Sequence, residues 1–159
     1  WRREYFLVIP NNKVEQIIYC KPEDSEKFFH ELQKNAESLF KDLGIPFRTV
    51  QICTGDLGNK QSLQYDVEAW FPGQNDKKGR YREVTSCSNC LDYQAVTLNT
   101  KFIDSKGNKK YVHLLNNTAM TDTRPIAAIL ENFQTSKGTV KVPKVLWPYM
   151  NGITEIGKK

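Results

Sequence analysis

The chain has 159 residues, 39% of them hydrophobic and 26% charged, with a formal net charge of +5. That length builds one domain with a genuine core and leaves too little for two comfortable ones, and the composition is that of an ordinary soluble globular protein. No apolar run approaches the roughly 20 residues of a membrane-spanning helix, and the N-terminal WRREYFLVIPNNK makes a poor signal peptide, because its apolar run is short and no small-residue cleavage site follows. The positive charge suits a polyanion such as nucleotide or RNA. Its lysines, however, gather in NDKKGR, SKGNKK and the terminal GKK, which read as solvated turns and a tail.

In chain order, KVEQIIYC predicts a strand and KPEDSEKFFHELQKNAESLFKDLG a helix. In that helix Phe28, Phe29, Leu32, Ala36, Leu39, Phe40 and Leu43 form one stripe at helical spacing. Early acids (Glu23, Asp24, Glu26) suit the positive end of its dipole; Gly44 ends it and Pro46 prevents resumption. FRTVQIC predicts a second strand, followed by the loop TGDLGNKQSL. YDVEAWF alternates with period two, Tyr65, Val67, Ala69 and Phe71 on one face, Asp66, Glu68 and Trp70 on the other. After the polar turn PGQNDKKG, RYREVTSCS predicts a fourth strand. LDYQAVTL is ambiguous. NTKFID and KKYVHLLN read as strands joined by the hairpin signal SKGN. The stretch LNNTAMTDT reads as a polar loop before TRPIAAILENFQT, a helix with Pro125 in its first turn. The last stretch of pattern is TVKVPKVLWPYM. This order predicts an α+β fold, an antiparallel β-sheet flanked by helices; no GxGxxG or P-loop appears.

The four cysteines are Cys20, Cys53, Cys87 and Cys90. Cys87 and Cys90 form a Cys-x-x-Cys, but a closed zinc site needs a second pair, and His30 and His113 stand alone. Cys20 and Cys53 end runs that read as buried strands, where cysteine serves as a small hydrophobe. No nucleophile-with-base signature is visible. The acids Glu15, Asp66, Glu68 and Glu83 lie within strands, and Arg124 opens a helix beside LNNTAMTDT. Any one strand carboxylate commonly faces water. Four of them with an arginine point to a polar cleft on one sheet face, where carboxylates hold Mg²⁺ or an ammonium group and arginine holds phosphate.

The stretches KVEQIIYCKPED, TGDLG, YDVEAWFP, YREVTSCSNCLDYQA, LLNNTAM and AILENFQTSKGTVKVPKVLWPYMNG, in this order over residues 13–152, resemble the C-terminal part of the catalytic domain of seryl-tRNA synthetases, a class II aminoacyl-tRNA synthetase family. The resemblance implies the family's antiparallel sheet and its two-step chemistry, with ATP and Mg²⁺ as cofactors. It implies that Glu15 holds the ammonium group of serine, with Thr118 and Asn116 shaping the same pocket. Glu83 and Ser86 resemble the contacts to ATP and Mg²⁺, with Val84 and Thr85 between them in the ATP site. Arg124 resembles the motif 3 arginine on the ATP phosphates, and Arg124 with Glu83 would be the catalytic pair. Asp56 and Glu68 lie in well-matched stretches, structural as readily as functional. In a regular strand, residues three apart face opposite ways, so Glu83 and Ser86 meet one metal only if the strand bends or bulges between them. Cys87 and Cys90 are expected to be packing residues.

The family's helical arm, motif 1, the first half of motif 2 and the Thr-Ala-Glu loop have no counterpart in these 159 residues. Where the family carries Arg-x-His-Gln-Phe before KVEQ, this chain has FLVIPNN, so residues 1–12 read as a divergent end and 13–159 as a partial catalytic domain. The resemblance implies tRNA(Ser) and a homodimer for the full-length protein, no membrane, and a place in the cytoplasm or, alternatively, an organelle matrix. The chain alone is expected not to aminoacylate. The alternative reading is a non-catalytic paralogue that binds a nucleotide, serine or a partner.

Overall fold

A computed structural model describes residues 12–157. The divergent end expected for residues 1–12 lies, apart from Asn12, outside the described residues. The elements are β1 (Lys13–Cys20), α1 (Ser25–Leu43), β2 (Phe47–Gln51), β3 (Leu63–Phe71), β4 (Arg80–Asn89), α2 (Tyr93–Leu98), β5 (Lys101–Ile103), β6 (Lys109–Tyr111), β7 (His113–Thr121), α3 (Thr123–Asn132), β8 (Val140–Lys141) and β9 (Glu155–Ile156). One five-stranded sheet, in the order β1-β7-β4-β3-β2, is antiparallel throughout. Two small ladders, β5-β6 and β8-β9, stand apart from it.

The apolar stripe of α1 lies on one face of this sheet. Phe40 and Leu43 meet Val67, Ala69, Phe71 and Val84, and Ala128 of α3 joins them. A second cluster gathers Phe29 and Leu32 with Cys20, Cys87 and Leu115. Both helices therefore bury against the odd-numbered side chains of β3, as the alternation in YDVEAWF requires. The stripe is narrower than the sequence suggests: Leu39 is exposed, while Ser25 and Gln33 are buried in its place. A 3₁₀ turn, Pro22–Asp24, precedes the α-helical part. Gly44 closes it at φ 70°, a left-handed conformation that glycine adopts without a Cβ clash.

Four local readings change. LDYQAVTL is helical, as α2. KKYVHLLN divides at Val112, its first part closing the small hairpin and the rest entering the main sheet. The polar LNNTAMT is not a loop but the continuation of β7 to Thr121. It is a strand because β1 pairs with it as far as Thr121 and β4 pairs with Leu115–Asn117 from the other side, which satisfies those backbone groups whatever the side chains. TVKVPKVLWPYM gives only the short β8 before a 3₁₀ helix, Lys144–Met150.

Phe40 is 0% exposed at the centre of the first cluster. Phe40→Ala is expected to cost about 3–5 kcal/mol, read as a lower urea midpoint at unchanged slope. Leu39→Ala, on the exposed flank, is expected to cost about 1 kcal/mol or less.

Candidate functional site

Residues directly opposite one another in a ladder share a face, so the register states which side chains meet. Asp66 of β3 lies opposite Val50 of β2 and Ser86 of β4. On the other side of β4, Cys87 lies opposite Asn117, which puts Thr118 one step along, beside Ser86. Thr118 lies opposite Glu15 of β1. Glu15, Thr118, Ser86 and Asp66 thus form one row across four strands, on the face away from α1 and α3.

Two bulges make this possible. Between the pairs Val67–Thr85 and Glu68–Glu83, residue Val84 of β4 has no partner. One extra residue turns Glu83 onto the face of Ser86, the condition that their spacing imposed. Between the pairs Val14–Met120 and Glu15–Thr118, Ala119 of β7 is the unmatched residue. It keeps Thr118 on the polar face while Met120 returns to the core.

The side chains form two poles. At one, Thr118 Oγ1 donates to Glu15 Oε2 at 3.1 Å, and Lys13 Nζ lies 2.8 Å from the same oxygen. At the other, Arg124, in the first turn of α3, donates to the Glu83 carbonyl at 2.6 Å and lies 3.5 Å from its carboxylate. Asp66 sits between them, 8% exposed. Burial raises its carboxyl above the usual range, against the lowering effect of a 2.8 Å hydrogen bond donated by Gln64, and nearby Glu83 and Glu68 raise it further.

Of the residues singled out from sequence, Glu15, Thr118, Asn116, Ser86 and Glu83 share this face, and Arg124 reaches it from the end of β7. Val84 and Thr85 do not present side chains to it: both are buried on the core side, so they can meet a ligand only through the main chain of the bulge. Glu68 is paired with Arg48 at 2.6 Å, and Arg48 stacks on Tyr81. Asp56 lies in the loop before β3, 3.9 Å from the Cys53 thiol. Asp66, named from sequence among the strand acids of a polar cleft but given no contact of its own, takes its place in this row opposite Ser86.

A cation bound here would meet the Glu83 carboxylate and the Ser86 hydroxyl, hard oxygen donors that suit Mg²⁺. No group of three His, Cys, Asp or Glu side chains forms a metal cage among the described residues.

The Cys-x-x-Cys is divided by the sheet itself. Cys87 faces α1, its Sγ donating to the Phe29 carbonyl at 3.7 Å, and burial pushes its thiol up to about 12. Cys90 continues the ladder opposite Leu114, on the other face. Thiols on opposite faces do not close on one metal ion.

The model of the tRNA synthetase class II core domain (G, H, P, S and T) matches residues 11–133. The chain is 53% identical over 152 residues to the serine--tRNA ligase of Pyrococcus abyssi, covering 95% of this chain and 32% of that protein. It is 49% identical to that of Methanocella arvoryzae, covering 93% and 34%. Among solved structures, seryl-tRNA synthetase from Pyrococcus horikoshii complexed with ATP superposes with a TM-score of 0.85 at 50% identity, over 92% of this chain and 32% of that one. Cytoplasmic serine-tRNA ligase from Naegleria fowleri in complex with AMP gives 0.84 at 42% identity, over 92% and 34%. The chain therefore spans about a third of the length of the relatives it matches.

Thiol chemistry follows from these burials. At pH 8 one cysteine, the exposed Cys53, is expected to react quickly with a maleimide, and Cys20, Cys87 and Cys90 only after unfolding. The Cys87 thiol is raised in the folded chain from 9.0 to about 12, so the folded state holds its proton longer than the unfolded state. Stability should fall as pH rises through that window. Cys87→Ala should flatten the fall in an alkaline urea series.

Proposed function

We propose, from the premise that this chain belongs to the class II tRNA synthetase core-domain family, that it is the part of a serine--tRNA ligase catalytic domain whose open sheet face binds serine and ATP. The observation that carries this reading is the single polar row, with a carboxylate–hydroxyl pair at one end and an arginine–carboxylate pair at the other.

Glu15 takes the ammonium group of serine, replacing the contact it now makes with Lys13. Thr118 and Asn116 border the rest of the amino acid. Arg124 holds the ATP phosphates through its forked donors, and the main chain at Val84 and Thr85 borders the nucleotide. Glu83 and Ser86 are the residues that would hold Mg²⁺, which when bound neutralises phosphate charge.

The chemistry needs no protein nucleophile. A carboxylate oxygen of serine attacks the α-phosphorus of ATP, and the bond to pyrophosphate breaks, leaving seryl-adenylate. The 3′-terminal hydroxyl of tRNA(Ser) then attacks the seryl carbonyl and AMP leaves. The site accelerates this by holding the two substrates in line and stabilising phosphate charge. A pocket that hydrogen-bonds the serine hydroxyl rejects alanine strongly, while an added methyl is rejected by only about 1–3 kcal/mol. In the full-length protein the reading carries with it a homodimer, tRNA(Ser) as second substrate, and the cytoplasm or an organelle matrix as its place.

Calorimetry of the 159-residue chain with a non-hydrolysable ATP analogue and with a seryl-sulfamoyl adenosine tests the assignment. Arg124→Ala should weaken both ligands about ten- to a hundredfold. Glu15→Gln should weaken the seryl ligand and leave the ATP analogue unchanged. Pyrophosphate exchange by the isolated chain with serine and ATP should stay at background; robust turnover would overturn the expectation that this part alone is inactive.

A further inference from the structure

The Cys-x-x-Cys motif has one member on the polar face. Cys90 donates its backbone N–H to the Leu114 carbonyl at 3.0 Å, prolonging the β4-β7 ladder by one step. Its neighbour on that face, Asn116, lies opposite Ser88 and Ile17 and two residues from Thr118. Asn116 Nδ2 donates to Cys90 Sγ at 3.6 Å. Cys90 is 1% exposed, and the turn that follows is fixed by a hydrogen bond from Leu91 N–H to Asn89 Oδ1 at 3.0 Å, with Leu91 at φ 47°. The thiol is thus a rigid reference point, and burial raises its pKa, keeping it neutral.

An amide has a donor end and an acceptor end of nearly equal size. With Nδ2 turned to Cys90, Oδ1 turns away from it, and among the described residues Oδ1 has no hydrogen-bond partner. The nearby Thr118 hydroxyl already donates its hydrogen to Glu15. We propose that Cys90 is a positioning residue that locks the Asn116 amide with its oxygen toward the bound amino acid, so that Asn116 Oδ1 accepts the hydrogen of the substrate's side-chain hydroxyl. Cys90 touches no substrate; it acts through Asn116, and the selectivity is for a hydroxyl over a methyl. This rests on the amino-acid pocket assigned above.

Two measurements on the 159-residue chain test it. In ¹⁵N-resolved NMR, one Asn116 side-chain amide proton should exchange slowly; Cys90→Ala should abolish that protection and Cys90→Ser should keep it. Cys90→Val, which fills the space without a hydrogen-bonding atom, replaces Cys90→Ala if the smaller side chain unfolds the chain. By calorimetry, Cys90→Ala should weaken seryl-sulfamoyl adenosine about three- to tenfold, leave alanyl-sulfamoyl adenosine unchanged, and add nothing in an Asn116→Ala background. An unprotected Asn116 amide in the wild type, or an unchanged seryl-to-alanyl ratio in Cys90→Ala, overturns the proposal and leaves the serine site standing. Failure of the wild type to bind either ligand overturns the serine site and this inference with it.

Discussion

The antiparallel register of β1, β7, β4 and β3 is the constraint on which the site depends. Each pair across the ladder places two side chains on one face, and two such pairs, joined through the β4-β7 ladder, bring residues from widely separated stretches into one row. The row would be scrambled by a regular ladder. Val84 and Ala119, each without a partner, reset the alternation on the two central strands. Small or aliphatic side chains suit these positions, because Val84 finds room in the core beside Phe40 and Ala119 is buried.

The opposite face anchors the row from below. Asn117, fully buried, donates to the Ser86 carbonyl at 3.4 Å and accepts from Gln16 Nε2 at 2.7 Å. Gln16 in turn accepts from Asn35 of α1 at 2.9 Å. A chain of amides therefore ties the long helix to β1, β7 and the main chain of β4 at Ser86. Of the three amides Asn117 is the buried one, and an alternative arrangement would leave its polar atoms unpaired away from water, so it holds one arrangement more strictly than apolar packing does. The pairing of the sequence motifs is two-sided: Asn117 reaches the main chain beside Cys87, and Asn116 reaches Cys90.

Much of this was legible in the residues. The stripe on α1 and the alternation in YDVEAWF showed which faces are apolar, and the roles that the family resemblance implies for Glu83 and Ser86 called for an irregular strand between them. The course of LNNTAMT was not legible. Its side chains are those of a loop, and only two flanking partners make it a central strand. The burial of Asp66, though not its place on the polar face, was hidden for the related reason that a polar residue in an alternating strand looks solvated until another strand is known to lie on each side of it. The inward turn of Val84 and Thr85 follows from the bulge's position, which spacing alone does not supply.

The unmatched residue in β4 has a consequence for how this surface tolerates change. Substitution alters one side chain and leaves its neighbours where they are. Removal of Val84 would leave Glu83 and Ser86 two apart, still on one face but in a regular strand, so the acid and the hydroxyl would be kept while the bend between them and the side chain in the core were lost. The site is specified by a count as much as by an alphabet.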